Sequence, residues 1–80
     1  MNIQNGWNGP TLYFGNIVND QVINDVKTVC EEVDTIIVSF DVTGRTCHQI
    51  LGHQLAEQLG DKYNVVIDWN YYVAVNKKEG

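Results

Sequence analysis

The segment Thr35-Ile36-Ile37-Val38-Ser39-Phe40 decides the fold class of this 80-residue chain. Its residues are apolar or carry only a small hydroxyl, so it lacks the alternation of a strand that has one side in water. Continuous apolar runs of this length are typical of strands buried on both faces. The segment therefore predicts a strand that is buried on both faces of a sheet.

The stretch before this strand has the periodicity of an amphipathic helix. The valines that recur at helical spacing are Val22, Val26, Val29 and Val33. Asn19 or Asp20 can accept hydrogen bonds from first-turn amides, so we expect the helix to begin there. Cys30 lies beside the valine stripe and is predicted to be buried.

A second helix is predicted after the strand. Thr46 begins a capping-box pattern, and Gly60 is a suitable residue to end the helix. The apolar stripe repeats every four residues and consists of Cys47, Leu51, Leu55 and Leu59. We therefore expect Cys47 to face the core, whereas His48 and His53 face solvent.

Three further segments, residues 11–18, 63–68 and 71–75, are rich in β-branched and aromatic residues and predict strands. With short links between the elements, we predict a single α/β domain over residues 1–80, with the order β-α-β-α-β(-β), two helices and a mostly parallel sheet of 3–4 strands. Right-handed crossovers place both helices on one side of the sheet if the strand order is monotonic, and on opposite sides if the order reverses. The alternative is an α+β two-layer sandwich with antiparallel pairs. Residues 1–10 are predicted to form an irregular lead-in or an edge hairpin, and residues 76–80 a flexible tail.

The charge balance argues against several classes of function. Ten acidic and five basic residues give a formal charge of −5, and two of the bases, Lys77 and Lys78, lie in the last four residues. Such a chain cannot neutralise a row of phosphates, so direct binding to nucleic acid or to an anionic membrane is not expected. No apolar run approaches the roughly 18 residues of a membrane span, and residues 1–6 lack a signal-peptide pattern. Two cysteines are too few for a disulfide framework, which indicates a reducing, cytoplasmic setting.

Candidate catalytic or metal-binding spacings are missing from the sequence. His48 and His53 lie five residues apart, about 140° around a helix, so they cannot hold one metal ion from one face. No Cys-x-x-Cys pair occurs. We therefore expect no metal, no cofactor and no enzymatic activity.

One loop has the position of a ligand site, because it connects the carboxyl end of the central strand to the second helix. Amides at the start of that helix, together with an arginine, can hold a phosphate or a carboxylate. The residues of this candidate anion site are Asp41, Thr43, Gly44, Arg45 and Thr46.

Three parts of residues 11–75 follow a pattern found in a known family: Leu12-Tyr13-Phe14-Gly15-Asn16-Ile17, the buried strand with its glycine turn, and Val65-Val66-Ile67-Asp68. In these parts the chain resembles a shortened Clp-protease/crotonase core. In that family the turn presents a glycine pair to the oxyanion, whereas this chain has Thr43-Gly44, and no serine follows Asp68. The resemblance therefore implies the fold of that core without its catalysis.

Amphipathic aromatic residues are frequent here, and such side chains dominate protein-binding surfaces. They are Trp7, Tyr13, Tyr63, Trp69, Tyr71 and Tyr72. We predict that Trp69, Tyr71 and Tyr72 bind a partner, surrounded by an acidic rim. The rim is expected to consist of Glu31, Glu32, Asp34, Asp61 and Asp68.

These observations favour a small acidic, non-enzymatic protein that binds and inhibits a basic or nucleic-acid-handling protein. Proteins of the anti-CRISPR, anti-restriction or immunity type work in this way. A second hypothesis is a small-ligand or anion-binding domain with its site at residues 41–46. A third is a homo-oligomeric module whose sheet edge or aromatic strand pairs with its own copy.

Overall fold

A computed structural model of the protein describes residues 3–6, 9–68 and 72–78. In these residues, two helices lie over one face of a five-stranded sheet. The strands are β1 (Ile3–Gly6), β2 (Gly9–Phe14), β3 (Thr35–Phe40), β4 (Tyr63–Asp68) and β5 (Tyr72–Lys77), and the helices are α1 (Asp20–Cys30) and α2 (Arg45–Leu59). The segment 35–40 is the third strand of the five; residues 36–38 and 40 are buried, but Thr35 is exposed and Ser39 is half-buried, so the predicted burial on both faces is confirmed only in part.

The sheet is mixed, and the prediction of a mostly parallel sheet is wrong. The strand order is β1-β2-β3-β5-β4, and only the pair β2–β3 is parallel. The cause is the link between β4 and β5, which has three residues and is too short for a parallel crossover. β5 therefore turns back beside β4 and fills the position next to β3.

Strands β2, β3 and β4 nevertheless point in the same direction and follow one another across the sheet in chain order. The two helical connections are therefore crossovers of the predicted kind, and both helices lie on one side, as expected for a monotonic order. One apolar cluster joins the helices to the sheet through Leu12, Val26, Ile36, Leu55 and Val73.

Helix α1 begins at the predicted place. The side chain of Asn19 accepts a hydrogen bond from the backbone N–H of Val22 at 3.0 Å, which satisfies one first-turn amide. The valine stripe faces the sheet, and Cys30 is buried as predicted. The helix is rich in β-branched residues, so packing of this face against the sheet is its main source of stability.

Helix α2 differs from the prediction at its start and along its buried face. Gly44 is the N-cap and has φ of 91°, a conformation that favours glycine, so Thr46 lies in the first turn and does not cap it. Cys47 is exposed, whereas His48 is only 1% exposed and packs edge-on against Phe40 with ring centroids 6.4 Å apart. Residues four apart on an α-helix differ in direction by about 40°, because four residues make slightly more than one turn. Leu59, three such steps after Cys47, therefore points about 120° away from it, and the two side chains cannot both face the core.

The two ends of the described chain are joined to the sheet by antiparallel pairing. β1 pairs with β2 across residues 7 and 8, from Gly6 opposite Gly9 to Ile3 opposite Leu12. β5 continues to Lys77, two residues into the segment predicted as a flexible tail, because residues 76 and 77 pair with β4. Within the described residues, neither helix has the length and hydrophobicity needed to cross a membrane.

Candidate partner-binding face

The side of the sheet opposite the helices is called here the helix-free face. In β2 to β5 it is formed by every second side chain, whose neighbours along each strand point into the core. Its side chains are Thr11, Tyr13, Thr35, Ile37, Ser39, Asn64, Val66, Asp68, Tyr72, Ala74 and Asn76. No helix in the described part of the chain covers this face.

The helix-free face is almost uncharged. Asp68 is the one ionisable carboxylate among its described side chains, and none of them is basic. Thr11 and Ile37 at its centre are buried, whereas Tyr13 is 42% exposed and Val66 is 60% exposed. A surface that combines exposed apolar and aromatic side chains with few charges has the composition of a protein-binding surface.

Four side chains form a row across this face at the carboxyl end of β3. Tyr13 of β2 is opposite Ser39 of β3, and Asp68 of β4 is opposite Tyr72 of β5. The β3–β5 register, extended by one residue from Val38 opposite Val73, places Ser39 beside Tyr72. Adjacent strands are about 4.8 Å apart, so the Cα atoms of the two tyrosines are separated by about 10 Å with the small Ser39 between them. This Tyr13–Asp68 row therefore has a shallow slot over Ser39 with an aromatic side chain on each side, and a carboxylate on the far side of Tyr72.

Asp68 and Tyr72 are also linked electrostatically. Partial burial raises the pKa of the Tyr72 hydroxyl, and a hydrogen bond to Asp68 and the negative charge of that residue raise it further. Tyr72 therefore stays protonated at neutral pH, and its hydroxyl donates a hydrogen bond to the carboxylate. The carboxylate still has lone pairs for a second donor, because an ionised carboxylate accepts about four hydrogen bonds.

The predicted acidic rim lies mostly at the other end of the sheet. Glu31, Glu32 and Asp34 connect α1 to the start of β3, and Asp61 precedes β4. Asp68 and Tyr72 lie together at the other end of the sheet. The length of a six-residue strand, about 17 Å, separates them from these four acids. Tyr72 and these four acids therefore do not form a single patch, while Trp69 and Tyr71 lie outside the described residues.

Lysines also reduce the negative charge at that other end. Lys77 forms an ion pair with Glu31 at 2.8 Å, and this contact raises the pKa of the lysine. Lys77 and Lys78 line the same surface depression as Asp34. An exposed pair of this kind adds little stability, but it makes the end of the molecule electrostatically mixed.

The loop predicted as an anion site has the expected position. The backbone N–H of Asp41 donates to the carbonyl oxygens of Phe14 and Gly15 at 3.0 and 3.1 Å, which ties the loop to the end of β2. Its five predicted residues, 41 and 43–46, are exposed. Gly44 gives no side-chain cap, and no acid occupies the first turn of α2. Uncapped helix starts also occur in proteins that bind no anion, so this geometry alone does not identify a ligand.

An apolar groove of about 540 Å³ lies beside this loop, between α2 and the β2–α1 connection. Ile17 and Ile50, both about half exposed, and the exposed thiol of Cys47 line it. Cys47 and the buried His48 point to different sides of α2, so they do not form a thiolate–imidazole pair. In the described residues, no group of three histidine, cysteine or acidic side chains is placed to bind a metal ion.

Sequence reasoning missed Ser39 and the positions of Tyr13 and Tyr72 on either side of it. Alternation along each strand identifies residues that share a face, but only the strand order brings β2, β3 and β5 together. Comparisons of the chain with protein-family models, curated proteins and solved structures gave no match. The resemblance of residues 11–75 to the Clp-protease/crotonase core therefore stays a prediction.

Proposed function

We propose that this chain is a non-enzymatic binding protein whose helix-free face binds a basic segment of a protein partner. The observation that carries the proposal is the Tyr13–Asp68 row, in which the one carboxylate among the described side chains of this face lies beside Tyr72, and Tyr13 lies farther along the same row. An arginine or lysine of the partner packs its side chain against the Tyr72 ring and pairs its charged end with Asp68, while a neighbouring residue of the partner occupies the slot over Ser39.

Charge and aromatic chemistry both support a cationic occupant. A guanidinium that stacks on a tyrosine ring gains about 0.5–1 kcal/mol at an exposed site, and its planar fork matches a carboxylate. Asp41, which is exposed and follows β3 at the same end of the sheet, adds a second negative charge near the row. Across the chain, the net charge of −5 favours encounter with a basic surface.

The rest of the helix-free face can contact further side chains of the same protein segment. Val66 and Tyr13 provide exposed apolar area on either side of a close-packed centre. A single cationic side chain in an open slot binds weakly, so useful affinity requires these neighbouring contacts. If the basic segment is the one through which a partner handles nucleic acid, its occupation inhibits that partner.

The test is a titration of the ¹⁵N-labelled protein with the tripeptide Gly-Arg-Gly, followed by NMR. We expect shift changes centred on Tyr13, Ser39, Asp68 and Tyr72, and no such changes with Gly-Glu-Gly. Asp68→Asn is expected to weaken binding by about tenfold, since it removes a charge-assisted pair. The matched control is Glu57→Gln, which removes one negative charge from the exposed side of α2.

Two results would reject the proposal. One is a response to Gly-Arg-Gly that is spread over the acidic residues of the helices and is reduced equally by Asp68→Asn and Glu57→Gln. The other is turnover of a substrate by the protein that is lost on substitution of the Tyr13–Asp68 row.

A further inference from the structure

Strand β4 is at one edge of the sheet, and its apolar side chains are incompletely covered on both faces. Tyr63, Val65 and Ile67 point towards the helices and pack against the core, but each is only half-buried. Val66 points to the helix-free face and is 60% exposed. In β5, the next strand inward, Val73 and Val75 are fully buried, so the apolar layer is left incomplete at the β4 edge.

This edge also lacks the features that usually prevent strands from pairing between molecules. Natural edge strands are kept apart by proline, lysine, a bulge or short length. β4 has six residues, a continuous pairing with β5 and the sequence Tyr-Asn-Val-Val-Ile-Asp, in which the only charge is at the last position. The opposite edge, β1, is described over only four residues and ends in glycine.

The hydrogen-bond pattern shows which backbone groups of β4 point outward. The N–H of Lys78 donates to the carbonyl of Lys62 at 2.8 Å, and these two residues are opposite each other in the register. In an antiparallel pair, hydrogen-bonded positions alternate, so residues 64, 66 and 68 bond to β5. The N–H and C=O groups of Tyr63, Val65 and Ile67 therefore point away from the sheet.

We propose that a second copy of this chain pairs with β4 in antiparallel orientation about a two-fold axis, with Val65 opposite Val65 of the second copy. In this register Tyr63 is opposite Ile67 of the second copy, so all three outward residues form hydrogen-bonded pairs. Three such pairs exchange about six hydrogen bonds. If the register shifts by one residue, the outward N–H and C=O groups of one copy face residues whose backbone groups point inward to β5. If it shifts by two residues, one of the three hydrogen-bonded pairs is lost.

The same arrangement covers the half-buried side chains. On the helix side, Val65 contacts its own copy, and Tyr63 contacts Ile67 of the second copy. On the helix-free face, Val66 becomes a neighbour of Asn64 of the second copy. Because the central pair is symmetric, each apolar residue of one β4 is covered by the other, as an isologous interface requires.

Helix α2 presents a compatible surface above this edge. The side of α2 that faces α1 carries Cys47, Leu51 and Gln54, which line the groove beside the β2–α1 connection. The opposite side, above the β4 edge, carries Arg45, Gln49, His53 and Ala56 and has no acidic residue. Two copies of α2 can therefore approach to the usual 8–10 Å of packed helices without a pair of carboxylates between them.

The first test is the oligomeric state measured by sedimentation, between about 1 µM and about 1 mM protein, a range that covers weak to moderate dimers. We expect a concentration-dependent rise towards twice 9.1 kDa. Val65→Pro removes an outward N–H and leaves the β4–β5 ladder intact, so it is expected to weaken the dimer by at least about 100-fold. Val65→Thr is the matched control, because it keeps the N–H and the branched shape and is expected to retain the dimer.

A second test reports the register and stands even if Val65→Pro does not fold. In a Cys47→Ser background, Val65→Cys brings two thiols together across the axis with Cα atoms about 5.5 Å apart, within disulfide range. Asn64→Cys places its two thiols diagonally, about 7–8 Å apart, and is expected to cross-link far more slowly.

A monomer at every concentration, a Val65→Pro variant with the wild-type dissociation constant, or equal cross-linking at positions 64 and 65 would overturn the proposal. These outcomes leave the Tyr13–Asp68 row untouched, because its side chains lie on the face of each copy and not at the β4 backbone edge.

Discussion

Tyr72 and Asp68 are coupled through a hydrogen bond between adjacent strands, and this coupling has a measurable pH dependence. The pKa of Tyr72 in the folded state is raised above its ordinary value, so the native state keeps the phenolic proton over a pH interval in which the unfolded state loses it. The corresponding stability is present below the unfolded pKa and is lost as pH rises through the folded pKa.

We therefore expect Asp68→Asn to lower the pKa of Tyr72, because the substitution removes the negative charge beside the hydroxyl. Ultraviolet absorbance of the ionised phenol during an alkaline titration measures this change, with Tyr72→Phe to assign the transition. Asp61→Asn, in the loop before β4, is the control and is expected to leave the transition unchanged. An identical Tyr72 titration in wild type and Asp68→Asn would show that the carboxylate does not accept the hydrogen bond.

At the scale of elements, the approach of α2 to the sheet depends on Gly52. A Cβ at this position would lie 3.0 Å from Cγ1 of Ile67 and 3.2 Å from Cγ2 of Val73, both closer than ordinary van der Waals contact. The absence of a side chain therefore sets the distance between α2 and strands β4 and β5. Glycine here weakens the helix itself by about 1 kcal/mol relative to alanine.

We expect Gly52→Ala to lower the free energy of unfolding by about 1 kcal/mol, because overpacking of about 1–3 kcal/mol exceeds the gain in helix propensity. Chemical denaturation measures the effect. In an Ile67→Ala background the nearest contact is gone, and the same substitution is expected to become neutral or stabilising. A stabilised single variant would mean that Ile67 moves aside at little cost.

At the scale of the whole molecule, β2, β3 and β5 lie inside the sheet, and β1 and β4 are its two edges. β3 and β5 each pair with a strand on both sides, whereas β4 pairs only with β5. We expect the slowest amide hydrogen exchange in β3 and β5, and an alternation along β4 in which residues 64, 66 and 68 are protected and residues 63, 65 and 67 are not.

Exchange measured by NMR in dilute solution tests this pattern for a single copy. At high concentration the outward amides of β4 are expected to become protected if the second copy pairs with them. Uniform protection along β4 in dilute solution would contradict the register of the β4–β5 pair.

The fold was predictable where local pattern and packing agree. The buried strand at 35–40 and the valine stripe of α1 have periodicities that tertiary contacts then preserve. The buried face of α2 was not predictable in the same way, because Cys47 and His48 are adjacent and both fit a mainly apolar stripe. The choice of His48 depends on its contact with Phe40, which belongs to β3 and so lies outside the helix and its periodicity.

The sequence by itself determined the two helices, the central strand, the acidic balance and the residues that alternate along each strand. The helices, the strand and the alternation follow from periodicity among residues that are close in sequence, and the acidic balance follows from composition. Tertiary structure alone decided that β5 lies between β3 and β4, and so brought Tyr13, Ser39, Tyr72 and Asp68 into one row and left β4 at the edge. The physical reason is that strand order depends on which strand buries more apolar surface at the centre of the sheet. That comparison involves segments far apart in the chain, so the local sequence pattern of each strand does not predict it.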